Sequence, residues 1–179
     1  THPFRFRKWL FAHVGHLPGV EKHRADILGR LPPFLARNIT GETDSELAFH
    51  LFLDVLFKES NLNDLELSGD RLATLLKDTV AEVETFGKDG EDKQDLAIVV
   101  TNGQVMAAAC SNVTMHYSHR EAILECPLHE DDERKYDHGR FRGVMLGAAM
   151  QDPGHQWREV TNGSLLSISK ELELKVQQL

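Results

Sequence analysis

The sequence contains no apolar run approaching the roughly 18 residues that a bilayer span requires. Its first stretch, Thr1-His2-Pro3-Phe4-Arg5-Phe6-Arg7-Lys8, lacks the apolar centre of a secretory signal. The chain therefore reads as soluble and cytoplasmic, with no membrane partner. Cysteine is scarce: Cys110 and Cys126 are the two in 179 residues, too few for a disulfide scaffold and without the CxxC spacing of a zinc site. Positive charge is also short. Twenty Lys plus Arg against 28 Asp plus Glu leave a formal charge of −8 and a pI near 5.6, the wrong sign for gripping phosphates, which argues against a nucleic-acid partner. No GxGxxG, GxxxxGK, GxSxG or HExxH pattern occurs, so nucleotide-binding, serine-hydrolase and metalloprotease readings lack support. Nor is there a repeat of 20 to 50 residues. What is present, 41% hydrophobic and 27% charged residues, suits one compact domain over residues 1–179.

The pattern of apolar residues predicts a strand over Lys8 to His13, stopped at Gly15, with a turn at Pro18-Gly19. Val20, Ile27, Leu28, Leu31 and Leu35 then recur at helical spacing, with Pro32-Pro33 interrupting the far end. Thr43-Asp44-Ser45-Glu46 precedes Leu47, Leu51, Phe52, Val55 and Leu56 on one helical face, and Thr43 with Glu46 reads as a capping box in which each side chain satisfies an orphan backbone N–H. A further helix is expected from Ser68-Gly69-Asp70 to about Phe86. Beyond the solvated connection Lys88 to Lys93 the period changes to that of strands. Leu96 to Val100 and Val105 to Ala109 flank Thr101-Asn102-Gly103-Gln104, a strong hairpin signal. Val144 to Leu146 and Leu165 to Ile168 read as strands, with Asn162-Gly163 turning into the second, and Leu172 to Val176 as an edge strand. A strand, a group of helices and a series of antiparallel strands make an α+β domain with helices layered on a sheet. Three helices cannot cover both faces of one sheet.

Ten histidines are spread along the chain. His13 with His16, and His116 with His119, have His-x-x-His spacing, but neither pair comes with further clear ligands, so no metal is expected. The acidic stretch His129 to Glu133 lacks the spacing and glycine of a calcium loop and reads as a solvated loop. Cys110, at the end of a hairpin strand, reads as core filler, since nothing local lowers its pKa. Thr1 reads as a point of truncation more readily than as an N-terminal nucleophile.

Two local patterns stand together: Thr1-His2-Pro3-Phe4 leading into Trp9 to Gly15, and Gly41 to Glu46 some thirty residues later. In this order they resemble the class II glutamine amidotransferase domain, in particular its compact branch of amidohydrolases acting on γ-glutamyl compounds. Trp157 to Leu166 is similar to that family's closing strands. The resemblance implies an αββα sandwich of the N-terminal nucleophile hydrolase type. It also implies attack on the side-chain amide of glutamine by an N-terminal cysteine, with its own amine as base and without a cofactor. By motif, Gly15 would be the backbone donor to the oxyanion, Asp44 the anchor for the substrate α-amino group, and His2 and His13 parts of the pocket wall. Val14 replaces the expected oxyanion Asn, and valine cannot donate a hydrogen bond. The nucleophile is not in this chain. The expectation is thus an incomplete sandwich, the C-terminal two-thirds of the domain, needing an N-terminal portion or a partner chain to complete it. Two readings stay open: an amidohydrolase acting on glutamine or a γ-glutamyl compound, and a catalytically degenerate module retained for binding or assembly.

Overall fold

A computed structural model of the chain describes residues 2–64, 66–87, 94–121, 142–151, 154 and 156–179. The connection 88–93, the acidic stretch 129–133, Cys126, His138, His155 and Thr1 lie outside the described residues.

The chain opens with two antiparallel strands, β1 (Phe4–Phe6) and β2 (Trp9–His16). The second continues past His13 because it stays in register with a later strand as far as His16 opposite Asp95. Gly15 is thus inside the strand rather than its end. The predicted helix after Val20 is two short pieces, α1 (Arg24–Arg30) and α2 (Pro33–Ala36). Proline at the start of α2 fixes a helical φ while lacking the N–H that would continue the previous turn.

Two long helices follow, α3 (Asp44–Glu59) and α4 (Gly69–Phe86). Each starts on a hydroxyl cap: Thr43 Oγ1 accepts from the Glu46 N–H at 3.3 Å, and Ser68 Oγ from the Arg71 N–H at 3.2 Å. The reciprocal half of the expected capping box is absent. Glu46 instead accepts from the backbone N–H groups of Thr40 at 3.0 Å and Gly41 at 2.7 Å, tying down the incoming loop. Leu72, Leu75, Leu76, Val80 and Val83 form the buried stripe of α4. Burying each such side chain contributes about 1.5–3 kcal/mol.

The Asn102-Gly103 hairpin forms as expected, joining β3 (Asp95–Thr101) to β4 (Met106–Ser111). Gly103 takes φ +86°, and Asn102 Oδ1 accepts from the N–H groups of Gln104 and Val105. The remaining strands are β5 (Met115–Glu121), β6 (Arg142–Ala148), β7 (Arg158–Val160), β8 (Ser164–Ile168) and β9 (Leu174–Gln178). β5 was not anticipated: its polar sequence Met-His-Tyr-Ser-His-Arg-Glu lacks the apolar alternation of a half-buried strand. The short β1 was also unforeseen as a separate strand, whereas β7 falls within the Trp157 to Leu166 stretch likened to closing strands and β9 is an edge strand as expected.

Two antiparallel sheets result, one in the order β1-β2-β3-β4-β8-β9 and one in the order β6-β5-β7. Period-two alternation divides the larger sheet between two cores. Trp9, Phe11, Leu96, Ile98, Val100, Ala107, Ala109 and Leu165 face the helices. Ala97, Ala108, Cys110, Leu166 and Ile168 face Met115 and Val160 of the smaller sheet. Among the described residues the helices lie on one face only, giving a helix, sheet, sheet order. Along β2 the second face is incompletely covered: Leu10 is 38% and Val14 46% exposed.

Trp9 links the strand layer to the helix layer. Its fully buried indole packs on Phe52 and donates from Nε1 to the Leu62 carbonyl at 2.9 Å. Trp9→Phe removes that donor and leaves a gap, and is expected to lower stability by about 1–3 kcal/mol in urea unfolding.

Candidate functional site

The far end of β2 meets the first turn of α3 at Asp44. Asp44 Oδ2 accepts the Leu17 backbone N–H at 2.9 Å. Its Oδ1 accepts the Ser45 N–H at 2.6 Å and the Ser45 hydroxyl at 3.1 Å. A negative group in the first turn is also favoured by the partial positive charge of the helix N-terminus. Ser45 Oγ lies 2.9 Å from His13 Nδ1, so carboxylate, hydroxyl and imidazole form one buried chain. His16 Nδ1 stands 3.6 Å from Asp44 Oδ2, with the His16 side chain 64% exposed and that of Asp44 12%.

Gly15 sits between the two histidines at φ +128°, and a Cβ there would meet the Asp95 carbonyl oxygen at 1.9 Å. Only glycine allows β2 and β3 to approach so closely at this conformation. Val14 opposes Ala97, on the sheet face away from the buried His13 and Asp44. His13 is 4% exposed. Burial pushes its pKa below the usual 6.5, against the opposing effects of Asp44 and the Asp95 backbone. Its Nε2 makes no direct hydrogen bond, although the Asp95 backbone lies near enough to favour the charged ring. His2 precedes β1, stacks edge-on against Phe4 with ring centroids 4.8 Å apart, and is also held low by burial while feeling the charge of Asp44.

Of the residues singled out in the sequence, His13, Gly15 and Asp44 thus come together and His2 lies within electrostatic reach. Ser45 and His16 were missed as site residues. Ser45 was visible inside Thr-Asp-Ser-Glu, and His16 had been weighed only as a metal ligand. Among the described residues no cluster of three or more His, Cys, Asp or Glu can hold a metal ion, and no helix is long and apolar enough to cross a membrane. Cys110 is buried between the two sheets, its thiol 3.7 Å from the Thr161 carbonyl. Burial pushes that thiol up, the opposite of an activated nucleophile.

A helix-backed antiparallel sheet packed on a second sheet, with an aspartate at the start of its first long helix facing a His-x-Gly strand end, defines a class. The profile of Glutamine amidotransferases class-II matches residues 1–176, and the chain belongs to that family. It is 21% identical over 186 residues to the probable glutamine amidotransferase DUG3 of Saccharomyces cerevisiae, a match covering 95% of this chain and 52% of that protein. The chain therefore spans about half the length of this curated relative. The fold is shared with a glutamine aminotransferase class-II domain protein from Silicibacter pomeroyi, at TM-score 0.65 and 20% identity over 99% of this chain and 71% of that one. It is shared too with a predicted glutamine amidotransferase from Pseudomonas aeruginosa PA01, at TM-score 0.58 and 22% identity over 99% and 65%.

Two outcomes follow from this geometry. Gly15→Ala forces a Cβ into the Asp95 carbonyl at a strained φ and is expected to destabilise the fold by more than about 2 kcal/mol in urea unfolding. Val14→Ala, at an exposed position, is expected to cost less than about 1 kcal/mol.

His2, His13 and His50 all have pKa values lowered by burial. Below the ordinary histidine pKa of 6.5 the unfolded chain therefore binds more protons than the folded one. The stabilising contribution is fully present above that value and is lost as pH falls below it. The urea midpoint should drop between about pH 7.5 and pH 5, and His50→Gln should shrink the drop. An unchanged drop in His50→Gln would remove His50 from this account.

Proposed function

We propose that this chain is the C-terminal two-thirds of a class II glutamine amidotransferase domain. It acts as an amidohydrolase on the side-chain amide of glutamine or of a γ-glutamyl compound. The nucleophilic cysteine comes from outside residues 1–179, from the rest of the domain or from a partner chain. The observation that carries the reading is Asp44: a largely buried carboxylate, fixed by the Leu17 N–H and by both donors of Ser45, at the end of the strand that carries Gly15. A carboxylate so oriented suits an α-ammonium group. The partial coverage of DUG3 and the exposed Leu10 and Val14 on the sheet face support a further part of the domain.

In this reading the cysteine thiol gives its proton to its own α-amine and adds as thiolate to the amide carbon, the oxygen gains negative charge, the amine passes the proton to the nitrogen that leaves as ammonia, and water hydrolyses the thioester. The Gly15 N–H would donate to the oxyanion, Asp44 would hold the α-ammonium, and His2 and His13 would line the pocket. Val14 supplies no second donor, and one such donor is worth about 100-fold to 1000-fold in turnover. Val14 is also the observation that favours the second reading, a degenerate module that binds without chemistry.

Two substitutions in the full protein separate these readings. Asp44→Asn is expected to abolish L-glutamine binding in calorimetry. Because Asp44 also braces the backbone, the same change should cost about 1–3 kcal/mol of stability, more than a helix-dipole role alone would explain. A folded variant that binds glutamine as well as wild type ends the anchoring role. Where the side chain at position 14 reaches the same oxyanion as the Gly15 N–H, Val14→Asn raises glutamate release about 100-fold or more, and no gain takes position 14 out of the site. No release from either form, with glutamine still bound, would favour the degenerate module.

A further inference from the structure

Asp44 has little unused acceptor capacity. Oδ1 takes two donors from Ser45, Oδ2 takes the Leu17 N–H, and His16 Nδ1 stands 3.6 Å from Oδ2. His16 belongs to the last position of β2 and carries a mostly exposed side chain. It can therefore swing away without disturbing the core, whereas Leu17 N–H and Ser45 cannot. An ammonium group approaching Oδ2 meets this imidazole.

We infer that His16 is a displaceable cap on Asp44, a specificity-determining residue that a ligand α-ammonium must push aside. This deepens the proposed anchoring role of Asp44 and rests on it. The imidazole and the ligand ammonium compete for the same carboxylate oxygen. Neutral or zwitterion-free ligands have nothing to exchange for the imidazole, so the cap selects for a primary ammonium group.

The other ionisable groups near this point are accounted for among the described residues. His2 and His13 sense the same carboxylate, Asp95 is the register partner of His16 on β3, and the Glu46 carboxylate is engaged by the Thr40 and Gly41 backbone.

The test is calorimetric titration of the full protein with L-glutamine for wild type, His16→Ala and His16→Gln. His16→Ala is expected to bind roughly fivefold to tenfold more tightly than wild type, with His16→Gln between the two. Glutaramate, which is glutamine without its amine, should gain nothing from either substitution. Equal glutamine affinity in all three proteins, with glutamine binding still lost in Asp44→Asn, overturns the cap and leaves the anchor standing. Wild-type affinity for glutamine no better than for glutaramate overturns the anchor and the cap together.

Discussion

The Asp44 carboxylate is where the two halves of this architecture are fastened. One oxygen holds the backbone N–H of Leu17, just past the end of β2, and the other holds Ser45 in the first turn of α3. Strand and helix are thereby set at a fixed spacing, and Ser45 carries the connection on to the buried His13. Charged acceptors make the stronger class of hydrogen bond, and here three donors converge on one side chain that is almost removed from water. The arrangement fixes the fold locally, and the mostly exposed His16 stands beside the same carboxylate.

Around this point the two cores divide the labour. The helix-facing core holds the aromatic weight, with Trp9, Phe11, Phe49 and Phe52 buried together. The inter-sheet core is built from small residues at Ala97, Ala108 and Cys110, which allow two sheets to lie face to face. Close approach is carried to its limit at Gly15, where the Asp95 carbonyl occupies the space any side chain would need. Membership of the class II glutamine amidotransferases gives this arrangement its family context, and Val14 stands exposed on the sheet face away from Asp44.

Much of the fold was legible because its signals are local. The Thr43 cap and the apolar stripe of α3, the stripe of α4, and the Asn102-Gly103 hairpin all depend on residues within one or two turns of each other. β5 was illegible for the converse reason: His116 and Ser118 are polar yet buried in the sheet, so burial there follows from neighbouring strands rather than from its own alternation. The reach of β2 beyond His13 was hidden in the same way, since pairing with β3 holds Gly15 and His16 in the strand although a glycine ordinarily signals an end. Glu46 shows a third case. Its spacing from Thr43 fits a capping box, but the loop at Thr40 and Gly41 offered two backbone donors and took the carboxylate instead.

The candidate site divides along the same line. The sequence by itself determined the elements and the residue types: an α+β order, an aspartate capping region, a His-x-Gly strand end and a valine without a donor. It did so because helix caps, turns and apolar periodicity are written in short windows. Only the tertiary structure decided that Ser45 bridges His13 to Asp44, that His16 stands 3.6 Å from that carboxylate, and that Val14 lies on the face away from it. Those are relations between segments about thirty residues apart, and they are set by strand register and by where the first turn of α3 meets the end of β2.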